Sequence, residues 1–239
     1  MKKYILGVGV DDISLTEALN KVSSWMEKPE KRYIVTPNPE FIMEAQNDNV
    51  FKDILNRADL GIPDGNGLIL GGIRQNLPGV DLMDKLSELA AKNDWSIGLL
   101  GGRDGVVKDA KLALEGKYPK LSVSWVSEGD VVAKDGSTKT QQPTPNEKID
   151  ILFVAFGHPK QEKWIVKNML QFPAQIFIGV GGSFDYISGR VKRAPKALRK
   201  LKLEWLFRLV LQPWRIRRQI KLLEFVWLIV LEKLGLRSS

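Results

Sequence analysis

Apolar runs rich in β-branched residues recur along the chain, at YILGVGV, RYIVT, SIGLLG, LSVSWV, DILFVAF and QIFIGVG, and amphipathic stretches of ten or more residues mostly lie between them. That alternation predicts an α/β fold. The first helix is announced by Ser14-Leu15-Thr16-Glu17, a capping box, and its apolar face continues through Leu19, Val22, Trp25 and Met26. Further helices are expected at about 39–56, 66–74, 81–92, 104–116 and 158–169, and the polar, turn-rich stretch 128–148 reads as a surface loop.

The chain has 239 residues, 44% of them hydrophobic, which suits one large domain or one domain with an appendage. There is no cysteine, and His158 is the single histidine, so disulfides, thiolate metal sites and histidine-rich metal clusters are excluded. The amino terminus, MKKYILGVGVDDIS, reads as a first strand rather than a signal peptide. FVWLIVL at 225–231 is bracketed by Glu224 and Glu232 and falls short of the roughly 20 apolar residues of a membrane-spanning helix.

Charge divides the chain near Gly189. Residues 190–239 hold 14 lysines and arginines against three acids, whereas residues 1–189 hold 22 against 25. We therefore expect an α/β catalytic domain over 1–189 and a basic, amphipathic helical appendage over 190–239 that meets an anionic ligand or surface.

Candidate chemistry sits in the turns. In ADLGIPDGNG, at 58–67, Asp64 follows Pro63 and precedes two turn-forming glycines, so it is either a turn residue or a reagent. LLGGRDG at 99–105, VAFGHPKQEKW at 154–164 and GVGGSFDYISGR at 179–190 follow strands. Open α/β sheets bind ligands beyond such strand ends, although a glycine turn there is also an ordinary tight connection. His158 either caps or contacts a ligand, or is a satisfied structural histidine. Gln161 and Glu162 begin a helix and either face the strand ends or form a solvated first turn. Asp185 either bonds a ribose hydroxyl or caps its turn.

Together, TPNPEFIMEAQ, ADLGIPDGNG, PGVDLM, FGHPKQEKWI, GVGGSFDYISGRVKRAP, LEWLFRL and PWRIRR resemble, in order over nearly the whole chain, the WecG/TagA/CpsF glycosyltransferases, family 26. The resemblance implies a Rossmann-like α/β domain with a mainly parallel sheet and a carboxyl-terminal appendage. It also implies an inverting transfer, without metal or other cofactor, from a UDP-sugar to a lipid-diphosphate-linked sugar at the cytoplasmic face of the bacterial membrane. The TagA-type branch moves N-acetylmannosamine to the 4-hydroxyl of undecaprenyl-diphosphate-linked N-acetylglucosamine; other branches use other UDP-sugars.

Carried over by motif, the catalytic base falls on Asp64, and Thr36, Asn38 and Gln161 fall on polar positions of the same pocket. Gly101, Gly102, Gly157, Gly181, Gly182 and Asp185 fall near the nucleotide. Arg208, Arg215 and Arg218 stand where family arginines meet the acceptor's diphosphate, and their spacing of seven and three keeps them on one helical face. The chain departs from the family in one place. LILGGIRQN is a short link between PDGNG and LPGVDLM, with Asn76 where the family has arginine and Arg74 as the candidate substitute.

QIKLLEFVWLIVLEKLGL is apolar around much of its circumference, so it packs on the domain, joins a neighbouring copy in a homo-oligomer, or lies in the membrane interface, the favoured reading. Two rival readings are nucleic acid binding by the basic tail, disfavoured because the tail's aromatics sit at helical spacing beside leucines, and a catalytically silent relative that binds a nucleotide-sugar, kept open by the short link before LPGVDLM.

Overall fold

The computed structural model describes residues 1–140, 142–195, 198, 207, 209 and 216–236, with side chains in the last segment from 221 onward. YILGVGV is not one strand but a hairpin: β1 (Lys2–Ile5) pairs antiparallel with β2 (Val8–Asp11). Leu6 and Gly7 turn the chain with φ of 49° and 74°, the two positive values a tight hairpin loop requires. The capping box then opens α1 (Leu15–Met26), with Ser14 Oγ accepting from the Glu17 N–H and the Glu17 carboxylate accepting from the Ser14 N–H.

After β3 (Arg32–Val35), the stretch expected to be one helix is two, α2 (Pro39–Ala45) and α3 (Asn49–Arg57). Asp48 causes the break by capping α3, its Oδ1 accepting from the Phe51 N–H at 2.9 Å. A two-residue strand, β4 (Leu60–Gly61), follows, then a 3-10 helix, Asn66–Gly71, where a longer helix was expected; Gly72 ends it at φ 85°. The remaining elements given by the described residues are α4 (Gly79–Lys92), β5 (Ser96–Gly101), α5 (Val106–Lys117), β6 (Ser122–Ser127), β7 (Ile149–Ala155), α6 (Lys160–Asn168), β8 (Ala174–Gly179), α7 (Ser183–Ile187) and α8 (Ile216–Lys233). Between β6 and β7 the expected loop carries, among the described residues, only an isolated bridge, Val132 to Thr138.

Six strands form one sheet in the order β4-β3-β8-β7-β5-β6, and every neighbouring pair is parallel. Such a sheet must be covered on both sides. Along β7, Ile149, Leu152 and Val154 enter one core, with Phe51, Trp164 and Phe225 of α3, α6 and α8. Ile151 and Phe153 enter the other, with Val22, Leu86, Val107 and Phe184 of α1, α4, α5 and α7. The helices after β3 and after β8 thus lie on opposite faces, which opens a crevice between the carboxyl ends of these two adjacent strands.

The carboxyl-terminal helix packs on the domain through one face, where Phe225 and Ile229 are buried beside Phe41 and Ile5. Its other side leaves Leu223, Trp227, Val230 and Leu234 exposed in one stripe at helical spacing. No helix among the described residues is long and apolar enough to cross a membrane.

Asp12, just after the hairpin, fixes the wall of the crevice. Its carboxylate accepts from the N–H groups of Arg74 (2.9 Å) and Gln75 (3.2 Å), from Arg74 Nε (3.0 Å) and from Lys3 Nζ (3.0 Å). Burial pushes this carboxyl up, but those four donors outweigh it and hold it well below the usual carboxylate range. Asp12→Ala orphans two backbone donors and is expected to lose about 2 kcal/mol in urea unfolding at neutral pH. A group stabilised in its ionised form contributes fully above its ordinary value of 3.8, so the gap between wild type and variant should narrow only as the pH falls below that value.

Candidate active site

A cleft of about 450 Å³ opens at the carboxyl ends of β3, β4, β7 and β8. It brings together Thr36, Asn38, Asp64, Gly157, Gln161, Gly181 and Gly182, predicted from the sequence on four separate motifs. Asn38 caps α2, its Oδ1 accepting from the Phe41 N–H at 3.0 Å. Thr36 is buried and its hydroxyl donates to the Gly179 carbonyl at 3.2 Å.

Asp64 is both a turn residue and a carboxylate in the cleft wall. Its N–H donates to the Pro37 carbonyl at 2.9 Å. The next N–H, of Gly65 at φ 109°, donates to Asn76 Oδ1 at 2.8 Å, and the Leu77 N–H donates to the Pro63 carbonyl at 2.7 Å. The Gly79 N–H, in the first turn of α4, reaches Asp64 Oδ2 at 3.4 Å, where the helix dipole favours negative charge. Segment 76–79 therefore holds the turn, its peptide plane and its carboxylate together. Thr36 Cγ2, Asp64 Oδ2 and Ser183 Oγ all lie within 4 Å of where a Gly79 side chain would begin.

Asn76 thus acts as a hydrogen-bond acceptor for the Gly65 N–H, a role no guanidinium can fill. Arg74 turns to Asp12 and is not among the lining residues. Beyond the Asn76–Pro78 wall lies a smaller cleft of about 350 Å³. Its Asp81, Asp84 and Lys85 are engaged with Arg193, Lys117 and Glu88 respectively.

Gln161 is fully buried although it borders the cleft. Its Oε1 accepts from the N–H groups of Gly157 (3.1 Å) and Gly181 (3.0 Å), and its Nε2 donates to Glu162 Oε1 at 2.7 Å. His158 lines the cleft and stacks on Phe41 with ring centroids 4.6 Å apart. Gly101, Gly102 and Asp185 are not among the lining residues. Gly101, at φ 103°, abuts the Ala155 backbone and Gly102 abuts the Phe184 ring, so both serve close packing at the end of β5. Asp185 stands beside Gly182, with its carboxyl pushed up by burial. Arg208 and Arg215 fall outside the described residues, and Arg218 lies in the first turn of α8, where the backbone alone is described.

Sequence reasoning missed Glu40, Ser183, Tyr186 and Leu222 as lining residues. Ser183 and Tyr186 are three apart on α7, which puts them on one face, and that spacing was legible. Leu222 was not, because nothing local tells that α8 folds back to the cleft mouth. Among the described lining residues there is no lysine or arginine, while Glu40 and Asp64 are both acids.

Burial pushes the Glu162 carboxyl up to about 7, against a smaller lowering by its bond from Gln161. The folded protein holds this proton to higher pH than the unfolded chain, so the group favours folding below its ordinary 4.5 and loses that contribution as pH rises through about 7. At about 1.4 kcal/mol per unit the loss is roughly 3 kcal/mol. Glu162→Gln cannot ionise, so in urea unfolding it should lose less stability than the wild type between about pH 5 and about pH 8.

The model of the Glycosyl transferase WecG/TagA/CpsF family matches residues 3–239. The chain is 30% identical, over all of its length and 96% of the relative's, to an N-acetylglucosaminyldiphosphoundecaprenol N-acetyl-beta-D-mannosaminyltransferase of Staphylococcus aureus. It is 31% identical, over 90% of its length and 88% of the relative's, to the Bacillus subtilis (strain 168) protein of the same name. The cleft that gathers the family's motifs therefore sits in a chain that belongs to the WecG/TagA/CpsF family of glycosyltransferases.

Proposed function

We propose that this chain transfers N-acetylmannosamine from its UDP donor to the 4-hydroxyl of N-acetylglucosamine on undecaprenyl diphosphate, with inversion, for synthesis of a cell-surface polymer. The observation that supports it most is Asp64 in the cleft, its carboxylate reached by the Gly79 N–H at 3.4 Å and its backbone pinned on both sides. Asp64 takes the acceptor hydroxyl's proton as that oxygen attacks the anomeric carbon; the bond from carbon to the UDP oxygen breaks on the opposite face, and UDP leaves with the electron pair. Preorganisation by backbone donors places the base without a reorganisation cost at the moment of reaction.

A diphosphate in a cleft whose described lining holds two acids and no lysine or arginine needs positive charge from elsewhere. We assign that charge to Arg208, Arg215 and Arg218 of the basic appendage, 190–239. Leu222 at the cleft mouth, four residues after Arg218, brings that appendage to the site. The exposed stripe of α8, with Trp227 61% exposed, supplies a peripheral contact with the cytoplasmic leaflet. Apolar residues on the free face of a basic segment suit a lipid surface better than nucleic acid.

Acceptor-dependent UDP release, measured with EDTA present, should fall at least 10²-fold in kcat for Asp64→Asn while the donor KM stays within a few-fold. In the same assay Arg74→Ala should keep its donor KM within about threefold, because Asp12 and not the cleft holds that guanidinium. Retained turnover in Asp64→Asn would reject the base assignment. Leu223→Glu with Trp227→Glu should abolish cosedimentation with anionic vesicles and leave the circular dichroism spectrum unchanged; full vesicle binding by this variant would reject the membrane contact.

A further inference from the structure

Glu162 is a fully buried acid, and Asp64 chemistry makes no use of it. Its Oε1 accepts from Gln161 Nε2 at 2.7 Å, while its Oε2 is shielded from water without a partner among the described residues. Burying an acid in this way is costly, and the amino-terminal turn of α6 offsets only part of the cost. What the acid does is set an orientation. A glutamine amide can be turned either way round, with its oxygen and nitrogen exchanged. The Glu162 oxygen beside it is an acceptor, so the nitrogen must face Glu162 and the Gln161 oxygen must face the other way.

Facing that way, Gln161 Oε1 accepts from two backbone donors at once, Gly157 N–H (3.1 Å) and Gly181 N–H (3.0 Å). These glycines begin the turns after β7 and β8, and both line the cleft. The opposite orientation would aim an NH₂ group at two N–H groups and push the turns apart. The last residue of β8 is closed against the pair, for a side chain at Gly179 would begin 2.7 Å from Gln161 Nε2 and 2.9 Å from Glu162 Oε1. The Gly179 carbonyl in turn accepts from Thr36, so the floor of the cleft from β3 to β7 forms one hydrogen-bonded strip.

We propose that Glu162 is a positioning residue for the nucleotide-sugar: acting through the Gln161 amide, it fixes the separation of the Gly157 and Gly181 turns against which the donor lies. This rests on the transferase reading as regards the ligand, while the clamp itself does not.

The test uses the full-length chain. Glu162→Met keeps the volume and removes the acceptor; it should weaken UDP binding in calorimetry and raise the donor KM by about tenfold each, with kcat at saturating donor within about threefold. Glu162→Gln retains an acceptor oxygen and should bring both back to within about threefold of wild type. The pair Glu162→Met with Gln161→Met should be no worse than Gln161→Met alone, since both break one connection. Wild-type UDP affinity and donor KM in Glu162→Met, or additive losses in the pair, would overturn the proposal. If Glu162→Met does not fold, amide exchange of Gly157 and Gly181 in the wild type and Glu162→Gln decides: protection of both supports the clamp, and exchange at unprotected rates overturns it. A folded wild type that neither binds UDP nor transfers sugar would reject the transferase reading, and the exchange measurement would still decide the clamp.

Discussion

A sheet whose every neighbouring pair is parallel is the constraint on which this molecule depends. Parallel strands cannot be joined by tight turns, so each connection must cross a face of the sheet, and both faces become buried. At β3 and β8 the crossings depart to opposite faces, which leaves a crevice between the carboxyl ends of the two strands. The crevice is a topological result before it is a chemical one. Turns directly after strands bring Thr36, Asp64, Gly157 and Gly181 to it.

The turns themselves are held by few bonds, each used in more than one way. Segment 76–79 sets the backbone and carboxylate of Asp64, and Asp12 holds the residues just before that segment. Gln161 joins the two glycine turns on the other side of the cleft. The residues around Asp64 and the two glycine turns are thus locked by backbone donors and amide oxygens.

Much of this was legible in the chain. The alternating destinations along β7 follow from a continuous apolar run, and the capping box marked the start of α1. Proline, aspartate and two glycines marked Asp64 as a turn residue, and only the family resemblance singled it out as a reagent. The hairpin in YILGVGV was hidden because Leu6 takes a conformation that leucine seldom adopts and is held there by burial. The break between α2 and α3 was hidden because apolar periodicity continues across it, from Phe41 and Ile42 to Phe51 and Leu55. β4 has two residues, too few for any pattern. The bridging role of Gln161 depends on partners 4 and 20 residues away that meet only in the folded sheet.

Leu222 and Leu223 are neighbours on α8, yet one borders the cleft and the other lies on the exposed stripe. A rigid helix turns about 100° per residue and rises about 1.5 Å, so the two directions are locked to each other. Phe225 and Ile229 seat the same helix against α2, whose first residues edge the cleft. Any surface that the stripe rests on is thereby held at a set height and tilt relative to Asp64. With the proposed membrane contact, the helix would act as a ruler that sets how far above the anchoring plane an acceptor's sugar must stand.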